Sequence, residues 1–363
     1  MKHVCVQTWF KSLNFGTTLQ AYALSRVLRS LGYIVSFADD SHEGFRALRQ
    51  LKSHISRIIH SEPSWLHARE NVVANWCKNN FTTCSIHSQA ETSDVVKETD
   101  CFISGSDQIW NTHFSFNPKM FLSFAGNKKR ISYASSIGTK TICPKHAAEI
   151  NKLLSRYCHI SVREETGAQA LRSLTGRTDI VQMPDPTMLL TPNEWLTIRS
   201  NSENTNITEP YALCYLLGTN LQYPSLVHEI MSLHRLSKLV LIPSLENPTL
   251  LVPGADVISS IDATQFVQLI SNASIICTDS FHATVLSVIL KKPFVEFLRF
   301  NDNDAASQNS RIFDLLNHLN LASQILSPTH IPSAFNLDFE ESSRIIEEDK
   351  LRGINFLINA IEN

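Results

Sequence analysis

The segment from Ser274 to Thr284 constrains the fold of this chain more than any other. Its first residues, Ser274 to Cys277, form a short apolar run typical of a buried strand. A polar turn follows, and apolar residues then recur at helical spacing as far as Ile289. A strand that leads through a tight turn into a helix is a unit of the parallel α/β sheet. Ligands bind such sheets at the carboxyl ends of the strands, where the amides of a new helix can face an anion.

The same alternation of strand and helix repeats in both halves of the chain. The first half opens with a strand, a helix that ends at Gly32 and a second strand. A polar stretch from Arg199 to Pro210 interrupts the pattern, which restarts at Tyr211. The 363 residues are enough for two domains. We therefore predict an α/β fold with two Rossmann-like parallel-sheet domains facing a cleft, residues 1–195 and 208–335, and a helix in residues 338–363 that packs back across the domains.

Composition argues against several classes of protein. The formal net charge of -2 provides no general attraction for nucleic acid. No apolar run approaches the roughly 18 residues of a membrane span, and the amino terminus lacks a secretory signal pattern. The eight cysteines are scattered, several of them in apolar runs, which is typical of reduced thiols and not of a disulfide framework. We expect a cytoplasmic protein with at most peripheral contact to the inner face of the membrane.

Two patterns that would indicate a metal or a cofactor are incomplete. Cys77, Cys84 and His87 lack a fourth ligand and the spacing of a zinc finger. Gly16 stands alone, without the further glycines of a dinucleotide-binding loop. We therefore expect neither a metal nor a cofactor.

Residues 45–80, rich in basic and polar side chains, are predicted to form two helices.

A polar cluster at residues 14–20 follows the first predicted strand. The amides of Asn14 and Gln20, together with backbone N–H groups near Gly16, can hydrogen-bond an anion or a sugar. The alternative is that Asn14 and Gly16 only start a helix and that Gln20 is exposed.

A second polar cluster, residues 104–111, follows another apolar run. Ser106, Asp107 and Gln108 supply hydroxyl, carboxylate and amide groups, and the indole of Trp110 can stack on a sugar ring. The alternative is a capped helix start with Trp110 in the core.

Two arginines are candidates for binding an anion. Arg163 ends another predicted strand and can hold a phosphate or a carboxylate through two hydrogen bonds. Its alternative role is a salt bridge to Glu164, Glu165 or Asp185. Arg311 is a second cation, in the latter half of the chain.

His282 lies one residue inside the helix of the opening segment and can change its charge near neutral pH. Asp279 and Ser280 precede it, at the end of the strand. The alternative is that Asp279 or Ser280 only caps the helix and that His282 packs above Leu286 and Ile289.

Several of these motifs occur together in one known family. They are Asn14 to Leu24, Ser104 to Asn111, Ser132 to Ser135, Ser161 to Glu164, Asp185 to Thr187, Thr278 to Thr284 and Ser310 to Arg311. On them the chain resembles the polysaccharide pyruvyl transferase family, although Ala283 stands where glycine is commoner. The resemblance implies the two-Rossmann fold of GT-B glycosyltransferases. It also implies transfer of a pyruvyl group from phosphoenolpyruvate to a sugar of a surface polysaccharide or its lipid-linked precursor.

The chemistry of ketal transfer, taken with the resemblance, suggests roles for the candidate residues. His282 is the expected general acid, and Arg163 and Arg311 are expected to hold the donor's phosphate and carboxylate. Asp107 or Asp279 is expected to accept a hydroxyl proton or to orient His282. The N–H groups from Ser280 through Phe281 to His282 would add anion contacts. The expected acceptor contacts are Asn14, Gly16, Gln20, Ser106, Gln108 and Trp110.

Two other functions remain open from the sequence. A GT-B glycosyltransferase that uses a nucleotide sugar would also need arginine and a helix terminus at a diphosphate. A non-catalytic glycan-binding relative could keep the fold and lose turnover. The presence of Asp279, His282 and Arg163 argues against the second alternative.

Overall fold

The computed structural model describes residues 1–40, 65–198, 207–248, 250–300, 307–327, 331–332 and 337–363. Of the two helices predicted in residues 45–80, the first lies outside the described residues. The same holds for most of the polar stretch that interrupts the pattern at residues 199–210. None of the helices in the described ranges combines the length and the apolar character of a membrane span.

The first sheet has seven parallel strands. They are β1 (His3–Gln7), β2 (Ile34–Asp39), β3 (Thr83–Ser85), β4 (Cys101–Ser104), β5 (Lys129–Ser135), β6 (His159–Val162) and β7 (Val181–Gln182). Their order is β3-β2-β1-β4-β5-β6-β7. The accompanying helices are α1 (Phe15–Ser30), α2 (Trp65–Asn80), α3 (Gln89–Glu98), α4 (Ala147–Leu154), α5 (Glu165–Thr175) and α6 (Pro192–Leu196).

The second sheet has five parallel strands. They are β8 (Tyr211–Tyr215), β9 (Lys238–Leu241), β10 (Ala255–Val257), β11 (Ile275–Thr278) and β12 (Phe294–Glu296), in the order β10-β9-β8-β11-β12. Its helices are α7 (Tyr223–Leu233), α8 (Ala263–Asn272), α9 (Phe281–Ile289) and α10 (Ser310–His318), and the chain continues to α11 (Glu340–Glu362). The predicted fold class is therefore confirmed.

In each sheet the strand order reverses beside the strand that comes first in the chain. β1 lies between β2 and β4, and β8 lies between β9 and β11. Connections on the two sides of such a strand diverge and leave a crevice at the carboxyl ends of the strands. The loop residues 8–14 and 105–117 flank this crevice in the first sheet, and residues 216–222 and 279–280 flank it in the second.

A continuous apolar core joins the two sheets. The ring of Phe15, in the first turn of α1, stacks on Phe266 of α8 with 4.7 Å between centroids. On α2, the buried Arg69 donates to the carbonyl oxygens of Ser259 at 2.5 Å and Pro243 at 2.6 Å. These contacts hold the first sheet's helices against the loops of the second sheet.

The carboxyl-terminal helix α11 contacts elements of both halves. Lys129 of β5 donates to the carbonyl of Ala360, and Gly353 lies where a Cβ atom would come within 2.4 Å of the Tyr133 hydroxyl. The same helix contacts α9. The exact domain boundaries stay a prediction.

Candidate active site

The opening segment folds as a strand, a turn and a helix at the cleft between the sheets. β11 ends at Thr278, whose hydroxyl oxygen accepts a hydrogen bond from the amide of Ser280 at 3.1 Å. Helix α9 then starts at Phe281 without a side-chain cap. His282 lies in its first turn and is 6% exposed. The amide of Ser280, one of those expected to bind an anion, therefore donates its hydrogen bond to Thr278 instead.

The amino terminus of α1 meets His282 across the domain gap. Asn14 caps α1, because its Oδ1 atom accepts from the amides of Gly16 at 3.1 Å and Thr17 at 3.4 Å. A Cβ atom on Gly16 would lie 2.2 Å from Nδ1 of His282. Asn14 is thus a helix cap, as its alternative interpretation held, and Gly16 lets the backbone approach the imidazole ring.

Gly16→Ala should displace the His282 ring, because no Cβ atom fits at 2.2 Å. Because His282 is the predicted general acid, we expect kcat to fall on the order of 10²-fold, the cost of misplacing such a group by about 1 Å. Steady-state turnover and circular dichroism would check this, since alanine favours the helix and should leave the fold intact. Gly167→Ala on α5 is the matched control, because its nearest new contact is Ile137 at 3.3 Å. Full activity of Gly16→Ala would contradict the close packing.

The carboxylate of Asp185 is the centre of the site's hydrogen bonds. Its Oδ1 accepts from the amide and hydroxyl of Thr187, and its Oδ2 accepts from Ser106 at 2.8 Å and Arg163 at 3.0 Å. The same Oδ2 lies 3.5 Å from Nε2 of His282. Burial raises the pKa of Asp185, but His282, Arg163 and Thr187 together lower it well below its usual range. Asp185 therefore stays ionised.

Arg163 is buried between two carboxylates and an aromatic ring. Its Nε donates to Glu164 and its Nη1 to Asp185, both at 3.0 Å, and its guanidinium lies 4.2 Å from the ring of Phe281. Burial lowers the pKa of Arg163, and the nearby carboxylates raise it above its usual range. Its Nη2 atom has no hydrogen-bond partner among the described residues. The salt bridges considered as an alternative are present, and one donor group remains unused.

Arg311, at the start of α10, is a buried cation of a different kind. Its Nη2 donates to Oε1 of Gln308 at 3.0 Å, and no carboxylate within the described ranges pairs with it. Burial and the positive charges of Arg163 and Arg299 lower the pKa of Arg311 to about 9. The carboxylates of Glu164 and Asp107 partly offset this lowering of the pKa, and the group is charged at neutral pH. An anion bound beside it would compensate its charge further.

Asp107 faces the same cluster from the first sheet. Its Oδ2 accepts from the Thr17 hydroxyl at 2.5 Å, and its charge acts on both Arg163 and Arg311. Its φ of 71° is left-handed, which is uncommon outside glycine and often marks a functional position. The side chain of the next residue, Gln108, crosses the domain gap and donates to Gln308 at 2.9 Å.

Ser106, a predicted acceptor contact, is 0% exposed, and its hydroxyl donates to Asp185 instead of facing a ligand. Two more predicted acceptor contacts also lie inside the protein. Trp110 is 1% exposed and stacks on Phe121 with 5.0 Å between centroids, so its indole cannot face a sugar. Gln20 is also fully buried and donates to the carbonyl oxygens of Trp9 and Thr17. Both placements are corrections, because packing decided positions that composition left open. The exposed aromatic side chain of the 105–117 loop is Phe114, at 77%.

Asp279 does not orient His282. Its two carboxylate oxygens accept from the amides of Leu217 and Gly218, each at 2.7 Å, at the carboxyl end of β8. Arg299, which follows β12, donates to the carbonyl oxygen of Asp279 at 3.1 Å. Sequence analysis missed Arg299, although its position after a strand is the signal that identified Arg163.

A cavity of about 130 Å³ opens beside these groups, between the two halves of the chain and α11. Its lining includes Arg163, Asp185, Phe281, Arg311, His318 and Asp349. The cavity wall therefore brings two buried guanidinium groups together with several carboxylates and the imidazole of His318, and His282 lies behind this wall, against Asp185.

The chain was compared with families of known proteins. The model of the polysaccharide pyruvyl transferase family matches residues 14–299, which is most of the chain. The chain belongs to this family. Polysaccharide pyruvyl transferases are transferases, and the predicted family and enzyme class are confirmed. The curated proteins contain no sequence match to it.

Solved structures with a similar fold are GT-B glycosyltransferases and epimerases. A putative UDP-N-acetylglucosamine 2-epimerase from Listeria monocytogenes is 13% identical, with a TM-score of 0.55, and the match covers 100% of this chain and 96% of that one. The wall teichoic acid polymerase TagF is 11% identical, with a TM-score of 0.52 and coverage of 99% and 88%. At these identities the likeness of this pyruvyl transferase to them shows the fold alone.

Proposed function

We propose that this pyruvyl transferase moves a pyruvyl group from phosphoenolpyruvate onto a sugar of a surface polysaccharide or of its lipid-linked precursor. The observation that carries the proposal is Arg311, a buried cation without a carboxylate partner among the described residues. It lies in the same cavity wall as Arg163, which has an unused Nη2 donor. Two guanidinium groups match a small donor that carries both a phosphate and a carboxylate.

The neighbouring side chains match the steps of ketal formation. His282 would deliver a proton to the methylene carbon of the enol, which makes the adjacent carbon electrophilic. A sugar hydroxyl then attacks that carbon and loses its proton, for which Asp107 is the candidate base. The phosphate leaves with the electrons of its C–O bond, and a second hydroxyl closes the ketal and releases its proton. The arginines stabilise the leaving phosphate, so the proposed reaction needs no metal or cofactor.

Phosphoenolpyruvate should stabilise the protein against heat, because it compensates the charge of Arg311. A ligand at one hundred times its Kd adds about 2.7 kcal/mol, which corresponds to a rise in Tm of about 3–4 °C for a chain of 363 residues. Arg311→Ala should abolish this rise, whereas Arg344→Ala, on the exposed face of α11, should retain it. Differential scanning fluorimetry measures both. An equal rise in the Arg311 variant would remove this residue from the donor site.

Product analysis tests the reaction itself. A panel of galactosides, mannosides and glucosides is incubated with enzyme and phosphoenolpyruvate, and mass spectrometry looks for the gain of one pyruvyl unit. If calorimetry shows binding of a nucleotide sugar and no binding of phosphoenolpyruvate, the protein is instead a glycosyltransferase.

We further propose that the reaction occurs in the cytoplasm, with at most peripheral contact to a membrane that carries the acceptor.

A further inference from the structure

A general acid needs a partner that orients its ring and holds its proton. The carboxylate of Asp107 accepts a hydrogen bond from Thr17, and that of Asp279 accepts from two backbone amides. Neither carboxylate contacts His282 among the described hydrogen bonds, so a different group must orient its ring. The carboxylate that faces the imidazole is that of Asp185, with Oδ2 3.5 Å from Nε2. We propose that Asp185 is the positioning residue that orients the His282 ring and stabilises its charged form. This inference rests on the proposed function.

The surroundings of Asp185 fix its carboxylate before any substrate arrives. The residue is 1% exposed, and Thr187 satisfies Oδ1 through two hydrogen bonds. Ser106 and Arg163 hold Oδ2 from the first domain's side. His282 faces the same oxygen from the second domain. A buried carboxylate held by four donors cannot swing away, so its charge acts on the imidazole from a constant position.

The other groups that face His282 disfavour its charged form. His282 lies in the first turn of α9, and the first turn of α1 packs against its ring at Gly16. Helix amino termini carry partial positive charge. Arg163 and Arg311 add full positive charges nearby, since both line the cavity that Asp185 lines. Asp185 is the carboxylate that forms an ion pair with His282 among the described residues. Asp185 is therefore the group placed to stabilise the charged form of the imidazole.

The pair is assembled from two domains. Asp185 follows the last strand of the first sheet, and His282 starts a helix of the second. The general acid is complete only while the domains keep this arrangement, to which Arg69 and the stacked rings of Phe15 and Phe266 contribute.

Glu164 provides a matched control, because it pairs with Arg163 as Asp185 does and is equally buried, but forms no ion pair with His282. Asp185→Asn should lower kcat about 10- to 100-fold and move the basic limb of the kcat/KM profile to lower pH by about one unit. Glu164→Gln should raise the donor's KM and leave that limb in place. If both variants change only KM, Asp185 serves Arg163 alone and the inference is wrong.

Titration of the His282 ring by nuclear magnetic resonance, without substrates, separates this inference from the proposed function. The midpoint should fall in Asp185→Asn and stay unchanged in Glu164→Gln, whether or not pyruvyl transfer is ever observed. Ser106→Ala is a second variant in case Asp185→Asn does not fold. It removes one donor from Oδ2, so the carboxylate should act more strongly on the ring and raise the midpoint. An unchanged midpoint in either Asp185→Asn or Ser106→Ala overturns the inference.

Discussion

His282→Ala should lower kcat for pyruvyl transfer by about 10²- to 10⁴-fold, the usual contribution of a general acid. Donor binding should change little, because Arg163 and Arg311, which are proposed to hold the anion, keep their own partners. The ring is 6% exposed and packs against Gly16, so truncation also leaves a small cavity and some loss of stability. Turnover of the folded fraction, measured by release of phosphate, is therefore the readout.

The comparison variant is His67→Ala, on the exposed surface of α2. It should retain turnover, since His67 pairs with Glu70 at the surface. Titration calorimetry with phosphoenolpyruvate should give similar affinities for the wild type and His282→Ala. Full turnover in His282→Ala would show that another group supplies the proton.

Arg163→Ala should reduce the free energy of unfolding by about 3–5 kcal/mol, the usual cost of removing one partner of a buried ion pair. The substitution leaves Glu164 and Asp185 buried without their shared cation. The pKa of Asp185 is held well below its usual range, so this stabilisation is present at neutral pH and is lost only in strong acid. Urea unfolding at pH 7 measures the loss.

Arg344→Ala removes an equally paired arginine from the surface of α11 and should change stability little, because exposed ion pairs contribute little. In the Arg163 variant that remains folded, kcat/KM for the donor should also fall tenfold or more, as loss of a charge-assisted hydrogen bond implies. If stability drops while kcat/KM is unchanged, Arg163 is a structural ion pair and Arg311 binds the donor alone.

The parts of the fold that sequence predicted are those where local chemistry and burial agree. β8 and β11 are buried on both faces and appear as unbroken apolar runs. The sequence pattern does not predict β3 and β10, because they are three-residue edge strands with polar or exposed side chains and no periodicity marks them. Helix α3 was missed for the same reason, since Val95 is its one buried residue.

The sequence likewise predicted some features of the candidate site and not others. The rule that ligands bind at the carboxyl ends of parallel strands identified His282, Arg163 and Asp107 from the sequence. It could not decide whether Trp110 faces a ligand or the core, because an aromatic residue suits both places. The pairing of Asp185 with His282 joins two domains across almost a hundred positions, and only tertiary packing brings such residues together.

The bonds of Asp279 have a consequence for selectivity. Its carboxylate occupies the two amides at Leu217 and Gly218, where the phosphate of a larger ligand would otherwise find ready-made donors. To bind these two amides, a diphosphate would have to displace the negatively charged carboxylate of Asp279. One side of the cleft thus carries the carboxylate of Asp279, already bonded within the protein, and the other carries Arg311, which has no carboxylate partner among the described residues.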